Sequence, residues 1–195
     1  MTRQRAAFSL MEALMAISLM ALAGGAIMLA LASSAQTTQV TLETSIARGI
    51  AAQLLDEVLG QRYAAVGAGP YTYPLGPGAW ELSGEGRERY DDTGDYHTFT
   101  AQPVTNILGQ ELGQGSDGGF SRHPNFRLPS GYFSAWREEI EVYYVDAEDH
   151  SLRLDPGATS DYRAVEVRIL RDHPDGTPQD LARLRRVYAH VPAPQ

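Results

Sequence analysis

The side chains with the most chemical content in this sequence are carboxylates. In the run GRERYDDTGDYHTF, Asp91, Asp92 and Asp95 stand close enough to bring oxygens around one hard cation, with Gly94 allowing the turn between them. Calcium is the ion this chemistry suits, and a domain without disulfides can use such an ion as a staple. The spacing departs from the twelve-residue calcium loop and offers no terminal bidentate acid. Capping of turn amides by these aspartates, with Arg87 or Arg89 as ion-pair partners, is therefore the stronger expectation, and no cofactor is required.

A second acid poses a different problem. Glu12 stands at the head of a long apolar run, and residues 13–32 carry no charge and only Ser18 as a polar side chain. Twenty such residues, at about 1.5 Å rise each, match the roughly 30 Å hydrocarbon layer of a bilayer. A carboxylate there costs at least a few kcal/mol unless it is paired, which marks Glu12 as a functional residue in need of a partner.

Other catalytic constellations are missing from the pattern. The five histidines, His97, His123, His150, His173 and His190, are scattered without the spacing of a zinc site. No nucleophile elbow, P-loop or dinucleotide glycine signature occurs, and Gly115, Ser116, Asp117, Gly118 and Gly119 read as a loop. The chain contains no Cys, which excludes disulfides and thiolate chemistry, and its formal net charge of -8 argues against a nucleic-acid partner. An enzyme is not expected.

The elements that position these groups follow from periodicity. Arg3 and Arg5 precede the apolar run and no cation follows until Arg48, so the positive-inside bias places the N-terminus in the cytoplasm and exports the remainder. A cleaved secretory signal ending near Ala35 is the alternative. It fits less well, because the apolar core is too long and the helical pattern continues through Val40, Ile46, Ile50, Leu54, Leu55, Val58 and Leu59. One helix is expected from about Ser9 to Tyr63, with Gly24 and Gly25 as a place to bend.

Gly and Pro then end the helix, and short strands are expected at residues 97–101, 136–145, 164–170 and 186–191, paired antiparallel. Apolar faces are formed by Ile140, Val142 and Tyr144, by Val165, Val167 and Ile169, and by Val187, Ala189 and Val191. The fold class is α+β, and the segment 171–180 is a loop between the last two strands.

The stretch Arg5, Ala6, Ala7, Phe8, Ser9, Leu10, Met11, Glu12, followed by uninterrupted apolar sequence, resembles the class III signal of type IV prepilins and type II secretion pseudopilins. The resemblance implies cleavage between Ala7 and Phe8 by a prepilin peptidase and N-methylation of Phe8, with Ala6 leaving the cut open by one residue. It also implies assembly through Glu12, whose carboxylate meets the new α-amine of a neighbouring Phe8. It further implies an α/β-roll in which the amphipathic part of the helix closes one side of the sheet. The domains would be a leader at 1–7, a transmembrane and assembly helix at 8–35, its amphipathic continuation at 36–63 and an exported β-rich domain at 64–195.

Tyr90, Asp91, Asp92, Asp95, Tyr96 and His97 are further similar to a stretch in minor prepilins related to the D-type subunit of the mannose-sensitive hemagglutinin pilus, with Gly94 where an acid is expected. The implied partners are other pilin or pseudopilin subunits, the peptidase and methyltransferase, and an inner-membrane assembly platform. The implied location is the bacterial inner membrane, with the C-terminal domain periplasmic, and then a pilus or pseudopilus. A minor pseudopilin of a type II secretion system, and a signal-anchored exported hydrolase or adhesin, are the alternatives.

Overall fold

The computed structural model describes residues 9–114 and 123–191. The leader, Ala7 and Phe8, and the glycine-rich stretch 115–119, lie outside the described residues. The chain divides into two units, residues 1–43 and 44–195. It is an α+β protein, with one α-helix among the described residues, α1 (Leu10–Leu59), followed by a four-stranded antiparallel sheet.

In the first unit α1 has no polar face. Every described residue from 9 to 42 is exposed, so no side chain of this stretch is buried among the described residues. It is long and apolar enough to cross a membrane. The hydroxyl of Ser18 donates to the Leu14 carbonyl at 2.9 Å, which satisfies the one polar side chain of the apolar run inside the helix itself. After Ala32 the helix turns polar, and Thr37, Thr38 and Thr41 donate in the same way to the carbonyls of Ser33, Ser34 and Thr37.

In the second unit the helix is amphipathic. Ala47, Ile50, Ala51, Leu54, Leu55 and Val58 are buried, a stripe stepping by three and one that follows the 3.6-residue period. Two of the six are alanines, small enough to let the helix lie close against the sheet. Val40, expected in this stripe, is 53% exposed. The helix stops at Leu59, four residues before the expected Tyr63. Gly60, whose amide donates to the Asp56 carbonyl at 2.9 Å, closes the last turn.

The strands are β1 (Phe99–Ala101), β2 (Trp136–Tyr144), β3 (Tyr162–Asp172) and β4 (Pro178–Ala189), ordered β1-β2-β3-β4 as a meander. Strict alternation along β2 puts Trp136, Glu138, Ile140, Val142 and Tyr144 inward and Arg137, Glu139, Glu141 and Tyr143 outward. β3 is buried on both faces over much of its length, as a central strand should be. Val165, Val167 and Ile169 share one cluster with Ile140, Val142 and the stripe of α1.

Three expectations from the sequence need correction. β4 is twice as long as the segment 186–191, because Arg and Gln side chains on an edge strand remain solvated and leave no apolar alternation to read. Its inward face is Ala182, Leu184 and Tyr188, which pack on the core, whereas Val187 lies on the opposite face and Val191 is 82% exposed. The loop between β3 and β4 is confined to residues 173–177, where His173 N donates to the Thr177 carbonyl at 3.0 Å and Gly176 takes φ +82°. β1 in turn starts late because Thr98 sits at φ 59°, a left-handed conformation that a β-branched residue rarely adopts.

Candidate functional site

Glu12 occupies the first turn of α1. Ser9, immediately before the helix, accepts a hydrogen bond from the Glu12 amide on its Oγ at 3.2 Å and another on its carbonyl at 3.1 Å. Ser9 is therefore an N-cap with Glu12 at the third helical position, where a carboxylate also complements the positive end of the helix dipole. The pattern Ser-x-x-Glu is a signal in the sequence itself, and it supplies a local reason for the acid beside any intersubunit one. Further along, Gly24 and Gly25 are both helical, and a Cβ built on either meets nothing within 4 Å.

The acidic turn is built around a 3-10 helix, Thr93–Tyr96. Asp92 caps it by accepting from the Gly94 amide, and Asp95 reaches back so that its Oδ2 accepts from the amides of Asp91 at 3.0 Å and Asp92 at 3.1 Å. This reciprocal capping box accounts for two of the three aspartates. The turn is fastened to the chain leaving α1, since Thr93 N donates to the Arg62 carbonyl at 2.9 Å and Thr93 Oγ1 to the Tyr63 carbonyl at 3.1 Å.

Asp91, Asp95 and Glu81, rather than Asp92, place one carboxylate oxygen each within 4.8 Å of one another. Nothing in the spacing of the sequence points to Glu81. Calcium takes six to eight oxygens, and one oxygen of Asp95 is already occupied by two amides, so the donor set is a poor fit and capping is the role the geometry supports. Burial pushes the Asp95 carboxyl up to about 6 against the pull of its amide donors, with Asp92 and Glu81 adding to the rise. Burial likewise raises Asp92.

Neither arginine expected to pair with these aspartates does so. Arg89 hydrogen-bonds Ser83 and the Trp80 carbonyl, and Asp91 lies 4.0 Å from Arg62 instead. Arg87 turns inward and is 1% exposed. Its guanidinium forks onto both oxygens of Glu57 at 2.8 and 3.2 Å and reaches Glu138 Oε1 at 3.1 Å. Tyr96 OH donates to Glu57 at 3.0 Å, and the Thr105 hydroxyl and amide donate to Glu138 at 2.8 and 3.2 Å. One network thus ties α1, the capped turn, the loop before β2 and β2 itself. Burial opposes the charge on Arg87, but the hydrogen bonds and field of Glu57 and Glu138 outweigh it and raise its pKa. Burial raises Glu138, whose Oε2 has no partner among the described residues.

Arg163 forms a second buried knot. Its guanidinium donates to the Tyr63 carbonyl, to Thr93 Oγ1 at 3.2 Å, to the Pro70 carbonyl at 3.1 Å and to Tyr144 OH at 2.7 Å, and it lies over the Tyr63 ring at 4.1 Å. Both knots were within reach of sequence reasoning. Period-two alternation puts Glu138 on the face of Ile140 and Val142, and Arg163 on the face of Val165 and Val167, and a charge on an apolar face needs a buried partner.

The histidines are spread over separate places. His97 Nδ1 lies 2.6 Å from the Val142 carbonyl, His123 caps Asn125, His150 stacks on Tyr162, His173 meets Gln179 and His190 packs on Tyr63. What the arrangement does chemically, among the described residues, is hold a small domain together without disulfides. No family model, curated protein or solved structure matches the chain.

Proposed function

We propose that this protein is a structural subunit, in the manner of a minor pilin, of a type IV pilus-like filament. The observation that carries the proposal is Glu12 in the capped first turn of a helix whose apolar stretch is exposed on every side. Such a stretch is suited to lipid before assembly and to the corresponding helices of other subunits afterwards. The amide cap from Ser9 leaves the Glu12 carboxylate free to accept, and a neighbour's Phe8 amine, released by removal of residues 1–7, is the partner of matching charge. The amphipathic part of α1 supports the same reading, because it gives the antiparallel sheet a helix to pack on.

On this proposal the chain is not an enzyme. It is processed by the prepilin peptidase and methyltransferase, resides in the inner membrane with its N-terminus cytoplasmic, and passes through an assembly platform into the filament.

Mass spectrometry of the mature protein tests the processing step. Loss of seven residues with a methylated Phe8 is expected, whereas an intact N-terminus, or one created after Ala35, would sink the proposal. Glu12→Ala is expected to insert into the membrane normally but to lose copurification with other pilin-like subunits. Glu12→Gln keeps the length of the side chain and loses only the charge, and it should fail in assembly as fully as the alanine variant, since the Ser9 cap takes the backbone amide and survives in both.

A further inference from the structure

β4 is the last strand of the sheet and pairs only with β3, so one whole side of its twelve residues presents backbone groups that no described element takes up. Between that edge and the flank of α1 runs an open groove of about 500 Å³, lined by Arg48 and Ala52 of the helix and by residues 180–184 of the strand. Ala52, one turn on from Arg48, is too small to close it. We propose that this groove is a docking site for an extended acidic segment of another protein, which adds to β4 as a fifth strand.

The acidic character of the guest follows from the charges along β4 and on the facing flank of α1. The chain as a whole carries a formal charge of -8, yet β4 holds Arg183, Arg185 and Arg186 against Asp180 alone. Asp180 is neutralised by Arg168 at 2.9 Å and Arg183 by Glu166 at 2.7 Å. Arg48 and Arg186, by contrast, have neither an ion pair nor a hydrogen bond among the described residues. Register pairs Arg186 with Val165, which puts its side chain on the sheet face that α1 covers, the same side as Arg48. A strand laid along the edge turns every second side chain toward that side, where carboxylates would meet both cations.

The features that protect natural edges also act here as a filter. Pro178 and the bulge that loops out Leu181 interrupt only the start of the strand, leaving residues 182–189 in unbroken register. Two copies of β4 laid edge to edge would bring arginines against arginines, which disfavours self-pairing and leaves an acidic partner as the accepted guest. The proposal is independent of how the N-terminal helix is processed or assembled.

The test uses the full chain in detergent micelles and two synthetic eight-residue peptides, one alternating Glu with Val and the other Lys with Val. Fluorescence anisotropy reads binding, and amide hydrogen exchange reads protection of residues 182–189. The Glu peptide is expected to bind and to slow exchange along β4, and the Arg48→Ala, Arg186→Ala double variant to weaken binding roughly tenfold. Both residues are exposed, so circular dichroism should show the variant folded. Equal binding of the two peptides, absence of binding, or unchanged affinity in the double variant would overturn the proposal. So would protection of β4 that rises with protein concentration in the absence of peptide, because a second copy would then be the occupant.

Discussion

The two parts of α1 are built from similar proportions of Ala, Leu and Ile, yet they behave as opposites. From 9 to 42 every residue is exposed, while between 47 and 58 six side chains are buried. The difference lies in where polar residues fall. In the second part Arg48, Asp56 and Glu57 leave one apolar stripe, so a single orientation buries it; in the first there is no polar face to choose an orientation. Apolar content alone does not direct a helix to a core in its own chain. An exposed apolar stretch of this length is long and apolar enough to cross a membrane.

The largest expected effect probes what holds the buried part besides apolar contact. Glu57 sits on α1 and shares Arg87 with Glu138, so Arg87→Ala leaves two carboxylates without their cation. Denaturant unfolding in detergent should show a loss of about 4 kcal/mol, the scale for breaking one side of a buried ion pair. A loss below about 1 kcal/mol would mean that solvent or rearrangement replaces the guanidinium, and the knot would not be what fastens helix to sheet.

The same unfolding measurement breaks or sustains the contrast directly. Leu54 is 3% exposed and Leu22 is 72% exposed, at positions of equal helix propensity. Leu54→Ala should destabilise the second unit by about 3 kcal/mol through lost burial and a residual cavity. Leu22→Ala should change that transition by less than about 0.5 kcal/mol. Equal effects would show that the apolar stretch has a protein partner within the chain after all.

How much of this was legible in the sequence depends on whether neighbours or distant contacts decide the feature. The helix and the inward faces of β2 and β3 rest on local periodicity, which is why Ile50, Leu54, Ile140 and Val167 could be placed in the core at once. Ala47 and Ala51 carry no such signal, since alanine is as common on a surface as under a sheet, and only the close approach of the sheet selects them. β4 was half missed because its residues 179–186 are mostly polar and its existence depends on pairing with β3. In the candidate site, Glu12 stood out because a charge in an apolar run is conspicuous. Glu81 could not be found, because its approach to Asp91 and Asp95 is made by loop geometry alone.

A smaller effect tests the exposed part of α1. Gly24 and Gly25 have open space where a Cβ would stand, so Gly24→Ala with Gly25→Ala adds helix propensity of about 1 kcal/mol each and no clash. Amide exchange around these residues should slow in detergent, while unfolding of the second unit stays unchanged. If the pair had no influence on exchange, the glycines would not be a soft point of the helix. If the domain transition moved as well, the two parts would be energetically coupled.

The smallest effect is set by pH, and it also separates the two parts, because Glu12 is the only titratable side chain among residues 9–42. Asp95, in the capped turn, titrates near 6 against an ordinary value near 4, so between those limits the folded protein holds the proton more tightly than the unfolded chain. Stability therefore falls as pH rises through that window and is higher at pH 5 than at pH 7.5, and the raised Asp92 carboxyl acts in the same direction. With screening by nearby solvent the difference should be about 1 kcal/mol, read from urea midpoints of the second unit. Glu88, Asp146, Asp149 and Asp175 are shifted downward by their hydrogen bonds and act in the opposite sense. Asp95→Asn keeps an acceptor for the amides of Asp91 and Asp92 but cannot ionise, so most of the slope should vanish with it. A slope that persists in the Asn variant would shift the titration to the other carboxyls raised by burial, Asp92 in the same turn or Glu138 in the Arg87 knot, and its loss in Asp92→Asn would assign it to the turn.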